Sequence, residues 1–405
     1  MSDARRNETS VARLPGEPGD LMEIQMGPSH PASHGTIKFN LRLDGETIVE
    51  VDVEIGYLHR GFEKMSEQFT WNHVFPYADR LNYASPLLNN VGFALAVEKL
   101  AGLETPERCQ YVRVIVGELS RITDHLTCLG MAASEIGALS AAFYMLEARE
   151  VLYDLVEFVT GARLTVTYCR LGGVMRDLPD DFEARVRAAF RDLGAILADC
   201  DRLLSRNRIF IDRMAGVGTM GRDDALSWGL TGPLLRATGE PYDVRKADPY
   251  LVYDRFDFEV PTGTRGDNYD RFMVRFAEMQ QSMRIVEQAL AQIPDGPVRA
   301  DDPRYILPPK QEVYGTIEGL MNHFKLVIEG QKIPAGEVYV ATEGGNGELG
   351  FYLVSDGSGR PYRVRVRPPC FYGMAALGDM LRGAMVADII TTFGQINMIG
   401  GECDR

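Results

Sequence analysis

Two histidines and a tyrosine stand where the chain is stiff enough to hold a proton-transferring group. His30 and His34 share a short loop in which Pro28 and Pro31 restrict the backbone. Imidazole and phenol groups can donate protons to carbonyl oxygens during a reduction. Tyr83 is the matching phenol. A histidine in a loop is more often a local hydrogen-bonding residue, so spacing alone leaves both interpretations open.

Tyr83 lies just before Ser85-Pro86, a pair that predicts the first turn of a helix. A phenol there can point into a cleft while its ring packs on apolar surface, or it can merely seal the helix start. Glu135 stands near the end of a long apolar helix, beside Gly137. Its carboxylate is either a helix-end charge or the buried partner of a histidine.

The elements that position these residues form an α+β protein. Alternating apolar residues from Thr36 to Leu43 and from Thr47 to Ile55, joined by Asp44-Gly45, predict a small antiparallel sheet. The second strand is predicted to place one set of residues on its apolar face: Thr47, Val49, Val51, Val53 and Ile55. We expect a flexible lead-in over 1–20 and the sheet with the histidine loop over 21–60.

A bundle of long helices is predicted over 61–295, because apolar residues recur there at helical spacing. The stripes comprise Val112, Ile115, Val116, Leu119, Ile122, Leu126 and Leu129; Phe182, Val186, Phe190, Leu193, Leu197, Cys200 and Leu204; and Phe272, Phe276, Met279, Met283, Val286 and Leu290. A Pro- and Asp-rich linker follows.

The last unit, 296–405, is predicted to be a small α+β unit. It should contain a helix over Glu312–Ile328, three short strands and a final helix over Met374–Thr392. Arginines alternate along the third strand, at 363, 365 and 367. They form either a solvated face or partners for acidic neighbours.

Charge and composition exclude several classes of protein. A net charge of -14 and a pI near 5.0 disfavour a nucleic-acid partner. No apolar run approaches the roughly 20 residues of a membrane span, and Met1–Gly16 does not resemble a signal sequence, so we expect a cytoplasmic chain. The six cysteines are scattered and none forms CxxC. They predict buried thiols and no metal site.

Five motifs carry a resemblance to a known family. These are Gly27–Gly35, Gly56–Lys64, Asp79–Pro86, Gly266–Arg271 and Arg365–Phe371. In this order they resemble the D subunit of bacterial NADH-quinone oxidoreductase (respiratory complex I), whose mitochondrial counterpart is the 49 kDa subunit. The similarity runs from about Glu23 to Arg405. The family is related in fold to the large subunit of nickel-iron hydrogenases.

The resemblance implies a peripheral subunit on the cytoplasmic side of the inner membrane. It implies that His34 and Tyr83 contact a quinone headgroup, with Glu135 as the acidic partner of His34. Arg60 and Arg80 would lie close to the terminal iron-sulfur cluster of a neighbouring subunit. The chain itself would hold no cofactor, because iron-sulfur clusters and flavin belong to partner subunits. The membrane arm is a further implied partner.

Two positions depart from the family pattern. Glu135 stands where the family usually has Asp, so the carboxylate reaches one methylene further. Thr165 stands where many members have a histidine near the cluster. Because Thr takes up no proton when the cluster is reduced, we expect its potential to depend less on pH than in histidine-bearing members.

Two rival functions remain to be compared. A nickel-iron hydrogenase would need paired cysteines near both ends, and neither the Tyr83 segment nor Gly400–Arg405 has CxxC. The ligand count rejects it. The alternative is a scaffold subunit of a related energy-converting complex with another donor, such as ferredoxin. Genes for flavin- and NADH-binding subunits nearby would distinguish the two.

Overall fold

An antiparallel sheet of four strands opens the computed structural model, which describes residues 12–13 and 21–405. The strands are β1 (Ala12–Arg13), β2 (Met22–Met26), β3 (Lys38–Asp44) and β4 (Thr47–Glu54), in that order across the sheet. The predicted hairpin is confirmed. The rest of the predicted lead-in lies outside the described residues.

The β3–β4 hairpin differs from the prediction in two details. Asp44 pairs with Thr47, so the turn consists of Gly45 and Glu46 rather than Asp44-Gly45. The register also shifts between Arg42 and Leu43, which is a β-bulge. Beyond the bulge the side chains change face, so Ile48 is buried whereas Val49 is 42% exposed. The predicted placement of Val49 on the apolar face is therefore wrong.

Helices dominate the middle of the chain. A 3-10 turn at Pro31–Ser33 carries the histidine loop, and another lies at Tyr253–Arg255. The other elements are α1 (Phe62–Ser66), α2 (Trp71–Ala78), α3 (Pro86–Ala101), α4 (Glu107–Glu135), α5 (Leu139–Thr160), β5 (Cys169–Arg170), β6 (Gly173–Val174), α6 (Phe182–Leu204), α7 (Arg208–Met214), α8 (Arg222–Ser227), α9 (Gly232–Arg236), α10 (Val244–Ala247) and α11 (Asn268–Gln292).

The long helices α4, α5, α6 and α11 pack together as the predicted bundle, with α4 between α5 and α11. Every residue of the three predicted stripes is buried except Met283, which is half-buried. Helix α4 is buried on all sides, however. It therefore also buries Arg113, Glu118, Arg121 and Asp124, which an apolar stripe does not predict.

The buried charges of the bundle neutralise one another. Glu118 lies 3.1 Å from both Arg121 and Arg245 and accepts hydrogen bonds from Tyr253 and Ser282. These attractions hold the pKa of the Glu118 carboxyl at about 2, well below its usual range, despite the opposing effect of burial. The network ties α4 to α10 and α11.

The C-terminal part comprises α12 (Lys310–Gly315), α13 (Ile317–Ile328), β7 (Gly336–Glu343), β8 (Glu348–Ser355), β9 (Arg363–Arg367), α14 (Pro369–Leu381), α15 (Asp388–Ile396) and α16 (Gly400–Cys403). The three predicted strands form an antiparallel sheet in the order β7-β8-β9. Arg363 and Arg365 contact Glu67 and Glu63, each at 3.1 Å, so they pair with acidic neighbours.

Two predicted helices are interrupted. The first breaks at Thr316, whose backbone is extended and whose hydroxyl accepts a hydrogen bond from Gly319 N at 3.1 Å, so it caps a new helix. The second ends at Leu381. The chain then crosses to β4, where Gly383 N donates to Ile48 O at 2.8 Å, and α15 begins afterwards. Tertiary contacts override helix continuity there.

The core has two apolar clusters. One joins the helical bundle to β8 and β9, and the other joins the N-terminal sheet to α14 and α15. The α+β fold class is confirmed, whereas the predicted divisions at 60 and 295 stay predictions. Among residues 21–405, no helix is both long enough and apolar enough to span a bilayer.

Candidate functional site

His34 is presented by the tight turn at Pro31–Ser33. His30 Nδ1 accepts a hydrogen bond from Ala32 N at 3.1 Å, and the Ser33 hydroxyl donates to His30 O at 3.0 Å. His34 ends the turn in the left-handed region, with φ 51. Its ring packs against Phe393 of α15, with the ring centroids 4.9 Å apart. The two histidines therefore differ in role, because His30 closes the turn that His34 leaves.

The His34 side chain contacts Glu135, the last residue of α4. Nε2 of His34 lies 2.6 Å from Oε1 of Glu135. The Glu135 side chain is only 10% exposed, and its Oε2 is buried without a hydrogen-bond partner among the described residues. Of the two interpretations of Glu135, the geometry favours the partner of a histidine.

Room for the Glu135 carboxylate comes from a glycine on α15. A Cβ built on Gly394 would stand 2.1 Å from Glu135 Oε2, far inside van der Waals contact. No local pattern indicates this dependence, because Gly394 and Glu135 are 259 positions apart and only the fold brings them together.

Tyr83 lies in the short segment between α2 and α3 and is 38% exposed. Its hydroxyl forms no hydrogen bond with any residue in the described part of the chain, so the phenol is available to a ligand. Burial of the ring raises the pKa of Tyr83. A negative charge on Cys370 would raise the pKa further, whereas Arg60 lowers it.

Arg60 and Arg80 lie side by side near Tyr83 in the sequence and in space. Arg60 Nη2 donates to Arg80 O at 2.8 Å and Arg80 Nη1 donates to Pro76 O at 2.6 Å. Both residues are exposed, and neither has a carboxylate within 4 Å among the described residues. Their backbone contacts fix two positive charges at the surface without neutralising them.

Thr165 occupies a strained position in the segment between α5 and β5, with φ 51. Two residues later, the backbone N and hydroxyl of Thr167 both donate to Asp79 Oδ2 at 2.6 Å. Burial raises the pKa of Asp79 to about 6. Asp79 directly precedes Arg80, so a carboxyl that titrates close to neutral pH adjoins the exposed arginine pair.

A buried polar network behind Tyr83 is not predicted from the sequence. Asp124 of α4 accepts hydrogen bonds from Asn82 and Ser85, each at 3.1 Å, and from Asn397 at 2.9 Å. Asn82 and Ser85 flank Tyr83, so Asp124 anchors the segment that presents the phenol. The available signal was a polar residue on a helix whose other predicted core positions are apolar.

The described chain offers cavities near these residues but no metal-binding arrangement. Within residues 21–405, no three His, Cys, Asp or Glu side chains converge as metal ligands, and all six cysteines are buried as predicted. A cavity of about 420 Å³ begins directly after Glu135, lined by apolar residues that include Ile136, Leu139 and Ile209. A larger cavity of about 920 Å³ around Ile306 and Val313 includes no predicted site residue.

Comparison with known proteins matches this chain to one family. The family model described as "Respiratory-chain NADH dehydrogenase, 49 Kd subunit" matches residues 135–405. The chain belongs to this 49 kDa subunit family. It is therefore a subunit of an oxidoreductase complex, and other subunits of that complex are its partners.

Similar proteins cover nearly the whole chain. The first of two NADH-quinone oxidoreductase D subunits, from Sorangium cellulosum, is 60% identical over 97% of this chain and 96% of its own length. The D subunit of Myxococcus xanthus is 56% identical over 95% of this chain and 92% of its own length. In the C/D subunit of Bdellovibrio bacteriovorus, 50% identical over 96% of this chain, the match covers 71% of the relative. That 49 kDa family member thus carries a further segment.

Proposed function

We propose that this chain is the quinone-site core subunit of a proton-translocating NADH:quinone oxidoreductase. His34 and Tyr83 contact the quinone headgroup and donate the protons, and Glu135 supports His34. The observation that carries the proposal is the 2.6 Å contact between His34 and a nearly buried carboxylate, together with the unpartnered phenol of Tyr83. The relatives' names supply the substrate class.

The two ring nitrogens of His34 have different tasks. Nε2 is engaged by Glu135, so Nδ1, which has no partner among the described residues, faces the substrate. An imidazolium can give its Nδ1 proton to a quinone oxygen while Nε2 keeps its hydrogen bond to the carboxylate. Glu135 therefore stabilises the protonated ring before transfer and fixes the tautomer afterwards.

Tyr83 supplies the second proton. Its phenolate would form beside Arg60, whose positive charge favours the ionised form. The electrons come from the terminal iron-sulfur cluster of a neighbouring subunit, which we place near Arg60 and Arg80. Two uncompensated guanidinium groups stabilise a cluster that gains negative charge on reduction. Flavin and NADH bind to other subunits.

The apolar cavity after Glu135 suits the remainder of the ligand. Leu139 and Ile209 at its mouth are 53% and 72% exposed. Such surface costs free energy in water and is covered favourably by an apolar ligand or protein. We propose that this face adjoins the membrane arm, with the chain peripheral on the cytoplasmic side.

Tyr83→Phe in the assembled complex tests this function. The variant keeps the ring and loses only the hydroxyl, so quinone reduction by NADH should fall about 100-fold, the lower end of the range for general-acid catalysis. NADH oxidation by an artificial acceptor upstream of the quinone should stay near normal. Tyr362→Phe is the control, because Tyr362 is 66% exposed. Equal loss of both activities, or loss of neither, would contradict the headgroup role.

A further inference from the structure

A carboxyl group without a cation partner lies buried behind Tyr83. Glu402, on α16 near the C-terminus, is 2% exposed. No Lys, Arg or His nitrogen of the described chain lies within 4 Å of its carboxylate. Buried carboxylates normally have a cation or several donors, as Glu118 does in this protein. Glu402 therefore favours its protonated form.

The contact that Glu402 makes with a thiol leads toward Tyr83. Its Oε2 lies 3.2 Å from Sγ of Cys370 at the start of α14. Cys370 is also the titratable group whose charge raises the pKa of Tyr83, so the thiol lies between the buried carboxyl and the phenol electrostatically. Asn346 holds the thiol in place from the other side, with Nδ2 3.2 Å from Sγ.

The surroundings separate the tasks of the two buried carboxyls. Asp124 accepts three side-chain hydrogen bonds and anchors the Tyr83 segment. Glu402 has the weak thiol contact and the nearby Asn346 amide, which do not compensate for the loss of solvation. The titratable groups that face Glu402 are Cys370 of α14, Asp124 of α4 and Cys403 of its own helix. None is positive.

We propose that Glu402 stores the proton that restores Tyr83 after quinone reduction, with the Cys370 thiol as the relay. The inference rests on the proposed function, in which Tyr83 gives its proton to the quinone. The O–H bond of Glu402 breaks as its proton moves to Sγ of Cys370. The S–H proton moves to the Tyr83 oxygen, so the phenol is restored and the thiol unchanged. The carboxylate regains a proton from water, and the electrons reach the quinone from the reduced iron-sulfur cluster.

The acidity of Glu402 suits this task. Burial and the nearby Asp124 carboxylate raise the pKa of Glu402 to about 7, although the contacts with the thiol and the Asn346 amide oppose the shift. A group whose pKa lies close to the working pH can both release and recover a proton within a catalytic cycle. The proton is held at pH 6 and is lost as pH rises through 7.

Glu402→Gln in the assembled complex removes the stored proton and keeps the side chain's size. Quinone reduction should fall at least about tenfold at pH 6. The decline that the unmodified complex shows between pH 6 and 8 should disappear. Glu259→Gln is the matched control, because Glu259 is exposed and has no ion pair within 4 Å in the described chain. An unchanged rate, or a slower rate with an unchanged pH profile, would overturn the proposal, since the latter indicates a structural role.

If Glu402→Gln does not assemble, two substitutions at Cys370 decide instead. Cys370→Ser keeps a group that can accept and donate a proton, whereas Cys370→Ala does not. The serine variant should retain quinone reduction at pH 6 and the alanine variant should lose at least about tenfold. Equal rates in the two variants would overturn the relay.

The experiment with Tyr83→Phe separates the two proposals. A normal rate in that variant would refute the proposed function itself. A slow Tyr83→Phe variant combined with a normal Glu402→Gln variant would refute only the proton store.

Discussion

Gly394→Ala tests the His34–Glu135 pair without removing any reactive group. The new methyl group would stand 2.1 Å from Glu135 Oε2, whereas contacts closer than 3.4 Å are rare. The carboxylate must therefore retreat by about 1.3 Å, because it is the movable end of a side chain and Gly394 belongs to a packed helix. A shift of this size breaks the 2.6 Å contact with His34.

The size of the effect follows from the kind of hydrogen bond that is lost. A hydrogen bond to a charged group contributes about 1.5 to 3 kcal/mol. If that stabilisation of the imidazolium supports proton transfer, the rate falls between roughly tenfold and 150-fold, since about 1.4 kcal/mol corresponds to a factor of ten. The fold should survive, because the clash involves one flexible side chain.

The assay compares two activities of membranes that contain the variant complex. Quinone reduction by NADH should fall within this range, and NADH oxidation by the upstream artificial acceptor should not change. Gly378→Ala on α14 is the control, because its Cβ would meet only Val51, with the nearest atom, Val51 O, at an ordinary 3.6 Å. Quinone reduction that stays normal in Gly394→Ala, with the complex fully assembled, would refute the support that we assign to Glu135.

Two further predictions concern the buried charges and the cluster. Glu118→Gln leaves Arg121 and Arg245 without their shared carboxylate, at a cost of about 3 to 5 kcal/mol. Assembled complex on native gels should therefore fall several-fold. Glu183→Gln, which breaks only an exposed pair with Arg187, should leave it unchanged, and equal amounts would contradict the assignment. Thr165→His should steepen the pH dependence of the partner cluster's midpoint potential, measured by redox titration, whereas a steep slope already present with Thr165 would refute our expectation.

Residues close together in sequence were predicted well. The β3–β4 hairpin and the stripes on α4, α6 and α11 follow from periodicity, which depends on neighbours two to four positions apart. The errors arose where distant parts of the chain compete. Val49 faces outward because a bulge changes the register, and the predicted last helix ends at Leu381 because the following backbone bonds to β4.

The candidate site divides in the same way. His34, Tyr83 and Glu135 were selected through motifs, and local spacing left each with an ordinary structural interpretation. Their contacts depend on pairs far apart in sequence, such as His34 with Glu135 and Glu135 with Gly394. Glu402 was missed because neither its burial nor its lack of a cation is visible in a short C-terminal motif.

The headgroup role of His34 and Tyr83 is tested most directly by a cryo-EM structure of the assembled complex with its quinone bound. We predict one headgroup oxygen about 3 Å from the Tyr83 hydroxyl and the other facing Nδ1 of His34. A headgroup that occupies a different part of the complex, with both groups beyond hydrogen-bond distance, would contradict this role.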